Sequence, residues 1–181
     1  VRTGGWRPMQ GMELRGKTLG IVGLGGIGKE MARIAKGIGL VPVAYNRSPV
    51  ADPPVPIVAI DQLLGLSDIV SLHLGLNDGT RGFLDRAKLA KTKPGVIVVN
   101  TARAGVVDEP ALLEALKSGH VGHYATDVFN QEPVSPDEPL LKLDNVTLTA
   151  HAGYNTPEAA KTMYRRAIDL AGRLEDAWLV E

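Results

Sequence analysis

The stretch Thr18–Gly28, TLGIVGLGGIG, decides the fold of this chain. Its first half is an apolar run without a charged residue, which is typical of a strand buried on both faces of a parallel sheet. Glycines then follow in the spacing G-x-G-x-x-G, at Gly23, Gly25 and Gly28. We expect Gly23 to permit a tight turn, Gly25 to let backbone amides approach a pyrophosphate, and Gly28 to pack closely against the strand.

An amphipathic helix is predicted directly after this glycine turn. Apolar residues recur at helical spacing, and charged residues lie on the other side of the helix. The apolar positions are Ile27, Met31, Ile34, Ala35 and Ile38. Since the N-terminus of a helix stabilises an anion, strand, turn and helix together favour a bound dinucleotide over a purely structural turn.

Length and charge restrict the classes of partner. The 181 residues suffice for one domain with a full core, and 20 Lys and Arg residues balance 20 Asp and Glu residues. This balance offers no net field for nucleic acid or an anionic membrane, so small molecules or another subunit are the expected partners. No run approaches the roughly 20 apolar residues of a membrane span, and no signal-peptide core or metal-ligand cluster is visible. The lack of cysteine excludes disulfides and fits a cytoplasmic enzyme.

The chain is predicted to consist of an arm and one domain. Residues 1–17 have no period that could bury a face, so we expect an arm in which Trp6 packs on a partner or is a plain surface anchor. Residues 18–181 form the predicted dinucleotide-binding domain. Its further strands are VPVAY from Val41, DIVSLHL from Asp68, GVIVVNTA from Gly95, VGHYATDVF from Val121 and VTLTA from Val146. Helical segments between them predict an α/β fold with a doubly wound parallel sheet of the Rossmann type.

Two later helices have recognisable starts. Asp108 is predicted to cap the helix after the fourth strand, whose inward residues are Leu112, Leu113 and Leu116. Thr156, Pro157 and Glu158 open a final helix. Its apolar face is formed by Met163, Ala167, Leu170, Leu174 and Trp178.

The end of the second strand indicates which dinucleotide is preferred. An NAD site of this design usually offers a carboxylate about 20 residues after the glycine turn, where it binds the ribose 2′-hydroxyl. Here Asn46 stands at that place and Arg47 follows it. An arginine can pair with a 2′-phosphate, so we expect NADP to be preferred over NAD, with a solvated loop arginine as the alternative.

Reactive side chains follow the later strands, where the ligands of such sheets bind. Arg103 follows the fourth strand, Asp127 and Glu132 the fifth, and His151 the sixth. His151 is the best acid–base candidate, because an imidazole titrates near neutrality and a carboxylate such as Glu132 favours its protonated form. Arg103 has the planar fork that suits a substrate carboxylate. An unrelated ion pair and a surface histidine are the alternative for these residues.

These residues resemble the D-2-hydroxyacid dehydrogenases, which include phosphoglycerate, glyoxylate/hydroxypyruvate and D-lactate dehydrogenases. The similarity runs from about Gly11 to Gly153, and its motifs stand in the expected order. They are ELRGKTLGIVGLGGIG, SLHLGL, VVNTARAGVVDEPAL, DVFNQEP and LTAHAGYNT. The resemblance implies a hydride transfer between NAD(P)H and C2 of a 2-oxo acid or D-2-hydroxy acid.

The resemblance also implies roles for individual residues. Arg103 binds the substrate, His151 donates the proton, and Glu132 pairs with His151. Asp127 is expected near the nicotinamide carboxamide. Cofactor contacts are implied for Gly23, Gly25, Gly26, Ile27, Gly28, Asn46, Arg47, Thr101, Ala102, Arg103, Asp127, His151 and Gly153.

Members of this family begin with a substrate domain of roughly a hundred residues, a size typical of one domain. This chain is expected to start at the crossover between the domains, so the substrate domain is absent and the fragment alone is expected to be inactive. The resemblance further implies a homodimer formed through this domain. Two alternatives are a non-catalytic nucleotide sensor, similar to the C-terminal binding protein corepressors, and a dimerisation module.

Overall fold

The computed structural model describes residues 11–178, with side chains described as far as residue 173. Trp6 and most of the predicted arm therefore lie outside the described residues, as do the side chains of Leu174 and Trp178. No helix in the described part of the chain is long and apolar enough to cross a membrane.

Within the described residues, six strands form one parallel sheet. The strands are β1 (Thr18–Val22), β2 (Val41–Tyr45), β3 (Ile69–Leu72), β4 (Val96–Asn100), β5 (Val121–Thr126) and β6 (Val146–Leu148). Their order across the sheet is β2-β1-β3-β4-β5-β6, and every neighbouring pair is parallel. From β1 the chain first adds β2 on one side, and then adds β3 to β6 in turn on the other side. The direction of winding therefore reverses between β1 and β3. The predicted doubly wound sheet is confirmed.

Five α-helices connect or follow these strands in the described residues. They are α1 (Gly26–Gly37), α2 (Ile60–Leu66), α3 (Arg86–Leu89), α4 (Glu109–Lys117) and α5 (Pro157–Trp178). The predicted cap of α4 is present, because the Asp108 side chain accepts a hydrogen bond from the Ala111 amide. Leu112 and Leu116 are buried as predicted, whereas Leu113 is only partly buried.

The core lies on both faces of the sheet, because successive residues of a strand point to opposite sides. Ile21 belongs to the cluster on the α1 side, with Ala32 and Ala35. Val22 belongs to the cluster on the other side, with Leu63 of α2 and Leu112 of α4. Both β1 residues are 0% exposed, which explains why this strand carries no polar residue after Thr18.

The predicted inward face of α1 is wrong in part. The buried residues are Gly28, Ala32 and Ala35. The isoleucines of the predicted apolar face, Ile27, Ile34 and Ile38, are 73%, 43% and 53% exposed. Close approach of α1 to the glycine turn explains the difference, since a Cβ at Gly28 would lie only 2.1 Å from the Gly23 carbonyl oxygen. Small residues fit this contact, and the isoleucines lie outside it.

Helix α5 exposes apolar side chains along its described length. They are Met163, Tyr164, Ile168 and Leu170, each more than half exposed. Scattered exposed apolar residues are common on proteins, but a row along one long helix is typical of a surface that another domain or subunit covers. The apolar face predicted for the last helix is thus exposed as far as its side chains are described.

The contact of Gly28 gives a test of the fold. We predict that Gly28→Ala lowers the free energy of unfolding by about 1 to 3 kcal/mol, because the added methyl group has no room beside the Gly23 carbonyl. Gly37→Ala is the matched control, since it lies in the same helix with nothing within 4 Å of its Cβ position. The control should unfold like the parent or stabilise it by up to about 1 kcal/mol. Denaturant unfolding measures both, and equal stabilities for the two variants would contradict the packing of α1.

Candidate active site

The glycine turn joins β1 to α1 at the carboxyl edge of the sheet. Gly23 has a φ of 98°, and a Cβ there would lie 2.7 Å from the His73 carbonyl oxygen. Gly25 and Gly26 are exposed and have open space where a Cβ would stand. The first turn of α1 contains no acidic residue, and no side chain caps it. The turn therefore offers backbone amides and a positive helix end to an anion, which fits the pyrophosphate of a dinucleotide.

Asn46 ties the glycine turn to the end of β2. Its Oδ1 atom accepts a hydrogen bond of 2.9 Å from the Leu24 amide, and its Nδ2 atom donates one of 2.8 Å to the Ser48 carbonyl oxygen. An amide does both at once, whereas a carboxylate can only accept. Asn46 is thus a structural part of the turn as well as a neighbour of the expected ribose.

Arg47 lies at an open cleft of about 300 Å³ beside this turn. The cleft is lined by Tyr45, Leu74, Thr80 and Phe83, among others. Arg47 is exposed and forms no salt bridge with a described residue. Its Nη1 atom lies 3.4 Å from the position of a Cβ at Gly79. The guanidinium is therefore available to a ligand in the cleft.

The loop after β4 carries Thr101, Ala102 and Arg103. Asn100, at the end of β4, is 0% exposed, and its side chain is hydrogen-bonded to the backbone of this loop. Its Oδ1 atom accepts from the Ala102 amide at 3.0 Å, and its Nδ2 atom donates to the Arg103 carbonyl oxygen at 3.1 Å. The Arg103 side chain is exposed, and it donates to the Ala102 carbonyl oxygen at 2.6 Å.

Asn100 was not among the predicted site residues. The sequence does contain an indication of its role, because Asn100 is the one polar residue at the end of an otherwise aliphatic strand, VIVVN. A buried amide side chain needs partners, and at a strand end the following loop is the nearest source of them.

Asp127 follows β5 and organises the loop after β6. It is 7% exposed, and its carboxylate accepts from the Thr149 hydroxyl at 2.5 Å and from the amides of Ala152 and Gly153 at 2.9 and 2.8 Å. Burial raises the pKa of Asp127, but these three hydrogen bonds and the nearby His151 together outweigh it, so its pKa lies below the ordinary value. Both oxygens thus hold the segment on either side of His151, a role beyond the cofactor contact implied by the resemblance.

His151 and Glu132 are brought together as predicted from their sequence positions. Glu132 Oε2 lies 2.7 Å from His151 Nδ1, and Glu132 Oε1 accepts from the Phe129 amide at 2.9 Å. The hydrogen bond from His151, followed by that of the Phe129 amide, lowers the pKa of Glu132. His151 has a φ of 49°, a left-handed backbone conformation that is uncommon for residues other than glycine, and the hydrogen bonds from the next two amides to Asp127 hold it there.

The other three histidines make different contacts. His120 Nε2 lies near the Thr92 hydroxyl and the Leu89 carbonyl oxygen, and His123 Nε2 lies 2.8 Å from the Thr147 hydroxyl. None of these contacts involves a carboxylate. His73 Nε2 lies 2.9 Å from the Ser71 hydroxyl, and burial lowers the pKa of His73. Among these histidines, only His151 is paired with a carboxylate.

The described residues contain no cluster of three or more His, Asp or Glu side chains suited to a metal ion. The carboxyl edge brings together the exposed glycine turn at the start of α1, Arg47 beside its open cleft, the exposed Arg103, and the Glu132–His151 pair. This set can bind a dinucleotide, orient a carboxylate and move a proton.

Comparison with known proteins identifies the family of the chain. Residues 1–153 match the family described as D-isomer specific 2-hydroxyacid dehydrogenase, NAD binding domain. The chain is 44% identical over 166 residues to a hydroxypyruvate reductase from Thermotoga maritima. This similarity covers 89% of the chain but only 54% of the relative, so the chain spans about half of that protein's length.

Solved structures give the same relationship. A glyoxylate reductase from Paecilomyes thermophila has a TM-score of 0.85 at 40% identity, with 90% of this chain and 51% of that chain covered. A D-isomer specific 2-hydroxyacid dehydrogenase from Xanthobacter autotrophicus Py2, in complex with NADPH and MES, has a TM-score of 0.75 at 34% identity, with 83% and 49% covered. The chain therefore belongs to the D-isomer specific 2-hydroxyacid dehydrogenase family, of which it is an NAD-binding domain.

Proposed function

We propose that this chain is the cofactor domain of an NADP-preferring reductase that converts a 2-oxo acid into a D-2-hydroxy acid. The observation that carries the proposal is the 2.7 Å contact between His151 Nδ1 and Glu132 Oε2 at the same sheet edge as the glycine turn. His151 has a carboxylate on one nitrogen and a side chain that is 38% exposed, which is the arrangement of a proton donor.

The glycine turn would hold the dinucleotide. Its pyrophosphate would meet the exposed amides at Gly25, Gly26 and Ile27, where α1 begins. Arg47 would bind the 2′-phosphate in the neighbouring cleft, and a solved relative in complex with NADPH supports this choice. When bound, the cofactor supplies the hydride for C2 of the acid.

The remaining chemistry belongs to the protein. Arg103 holds the substrate carboxylate and polarises the carbonyl group at C2. His151 donates its proton from Nε2 to the oxygen at C2, because Nδ1 is engaged by Glu132. Glu132 fixes the orientation of the ring and stabilises the imidazolium that the reduction consumes.

A second domain outside this chain would complete the substrate cleft. Two observations support a second domain. The chain covers only about half the length of its relatives, and helix α5 exposes a row of apolar side chains. We include in the proposal a homodimer formed through this domain, to which the exposed isoleucines of α1 would contribute.

We predict that the full-length protein oxidises NADPH when it is supplied with glyoxylate, hydroxypyruvate or a bulkier 2-oxo acid. Residues 1–181 alone should bind NADPH without turnover, since the exposed Arg103 then faces solvent, where a contact to a carboxylate is worth only about 0 to 1 kcal/mol. Absorbance of the reduced cofactor follows both proteins. Full-length protein that binds NADPH but reduces none of these acids would favour the nucleotide sensor instead.

We predict that NADPH binds the protein about tenfold or more tightly than NADH, because a charge-assisted contact to phosphate is worth about 1.5 to 3 kcal/mol. Arg47→Ala should remove most of this difference while leaving NADH affinity nearly unchanged. Arg15→Ala is the control, since Arg15 is an exposed arginine before β1, at the opposite edge of the sheet. Nucleotide fluorescence titration measures the six dissociation constants, two for the parent and two for each variant. A preference that survives in Arg47→Ala would exclude Arg47 as its source.

We predict that His151→Ala abolishes most turnover of the full-length enzyme and leaves NADPH affinity nearly intact, because proton transfer acts in the transition state. Glu132→Gln should move the alkaline limb of the kcat profile for reduction to lower pH. The sign follows from the charge: ionised Glu132, whose pKa is lowered by His151, opposes loss of the imidazolium proton, and glutamine does not.

His123→Ala is the control for these variants, because His123 bonds only the Thr147 hydroxyl on the neighbouring strand. It should keep the kcat and the pH profile of the parent. An unchanged alkaline limb in Glu132→Gln would contradict the role of the pair even if His151→Ala is inactive.

A further inference from the structure

Tyr124 is a polar exception in an aliphatic core. It lies in β5, is 2% exposed, and is the only member of its buried cluster whose side chain carries a polar atom. A buried hydroxyl is unfavourable unless it is hydrogen-bonded, so phenylalanine would suit the packing alone. The hydroxyl needs a partner, and Asn100 on the neighbouring strand provides one, with a distance of 3.2 Å between Tyr124 Oη and Asn100 Nδ2. The Thr126 side chain also interacts with the hydroxyl.

With this bond, both ends of the Asn100 side-chain amide are hydrogen-bonded. One hydrogen of its Nδ2 atom goes to the Arg103 carbonyl oxygen, and the other goes to Tyr124. Its Oδ1 atom accepts from the Ala102 amide. Because a rotated amide would present Nδ2 to the Ala102 donor and Oδ1 to the Arg103 carbonyl oxygen, these two loop groups fix which end of Asn100 faces the loop, and the Tyr124 bond holds the amide in that place.

Thr126 also contacts Asn100, through the backbone carbonyl group of that residue. It lies two positions after Tyr124, and therefore on the same face of β5. Its hydroxyl lies 3.1 Å from the Asn100 carbonyl oxygen, and it also accepts from the Val128 amide. Burial raises the pKa of Tyr124, so its hydroxyl stays neutral throughout the range in which enzymes work.

From these contacts we infer that Tyr124 is a positioning residue for substrate binding, which acts through Asn100 to hold the loop that carries Arg103. The inference rests on the proposed function, since it takes Arg103 to bind the carboxylate of the 2-oxo acid. Tyr124 touches neither substrate nor cofactor in this account. It is separated from Arg103 by one side chain, and its effect is therefore on where the arginine is presented.

Tyr124→Phe in the full-length protein removes the hydroxyl and keeps the ring. Asn100 then has a buried donor without a partner, and the Arg103 loop loses its fixed position. The KM for the 2-oxo acid should rise by about tenfold, with a smaller change in kcat, because the arginine holds the carboxylate before and during the reaction. The pH profile of kcat should stay that of the parent, since Glu132 and His151 are untouched.

Thr147→Val is the matched control. It removes one hydroxyl from β6, the strand beside β5, where that hydroxyl bonds His123 and has no link to the Arg103 loop. Its KM and kcat should equal those of the parent. Hydrogen exchange gives a second measurement that is independent of turnover: the Ala102 amide, which donates to Asn100, should exchange faster in Tyr124→Phe than in Thr147→Val.

The outcomes separate this inference from the proposed function. The proposed function stands if the parent reduces a 2-oxo acid and Arg103→Ala does not. The positioning role is overturned if, in addition, Tyr124→Phe has the KM of the parent and the Ala102 amide exchanges as fast as it does in the parent. If the parent reduces no 2-oxo acid, the proposed function fails and this inference fails with it. A raised KM together with faster exchange of Ala102 supports both.

Discussion

The register of the six parallel strands is the constraint on which the site depends. The last residues of the strands are aligned in one row across the sheet: Tyr45, Val22, Leu72, Asn100, Thr126 and Leu148. The residue after each of them starts a loop of the site: Asn46, Gly23, His73, Thr101, Asp127 and Thr149. A shift of one residue would turn each side chain to the other face of the sheet. Backbone pairing therefore brings an anion site, an arginine and a histidine to one edge, although 128 positions separate Gly23 from His151.

Buried polar side chains, more than apolar packing, hold the loops at this edge. Asn100 and Asp127 end or follow buried strands, and each accepts amides from an exposed loop. No buried side-chain nitrogen or oxygen in the described residues lacks a partner. A half-satisfied polar group in such a place would be costly, so each anchor favours one loop conformation. In this way Asp127 maintains the positive φ of His151, and Asn100 maintains the turn that precedes Arg103.

Local patterns in the sequence predict the architecture well, because each strand, glycine turn and helix start is a short-range signal. They failed for the inward face of α1, where an isoleucine stripe and an alanine stripe run side by side. Which stripe is buried depends on how closely the helix approaches Gly23, and that is a tertiary contact. The hydrogen bond between Asn100 and Tyr124 was missed for the same reason. Asn100 and Tyr124 are 24 residues apart, so no local pattern shows their bond. The pairing of Glu132 with His151 was predictable, since both follow strands at the same edge.

The central claim is that the glycine turn, Arg103 and the Glu132–His151 pair serve one reaction. A crystal structure of the full-length protein with NADPH and oxamate, an unreactive analogue of a 2-oxo acid, tests it most directly. We predict a pyrophosphate on the amides at the start of α1, a 2′-phosphate on Arg47, and an oxamate whose carboxylate meets Arg103 while its carbonyl oxygen meets His151 Nε2. Oxamate bound away from both Arg103 and His151, with NADPH in place, would contradict the account.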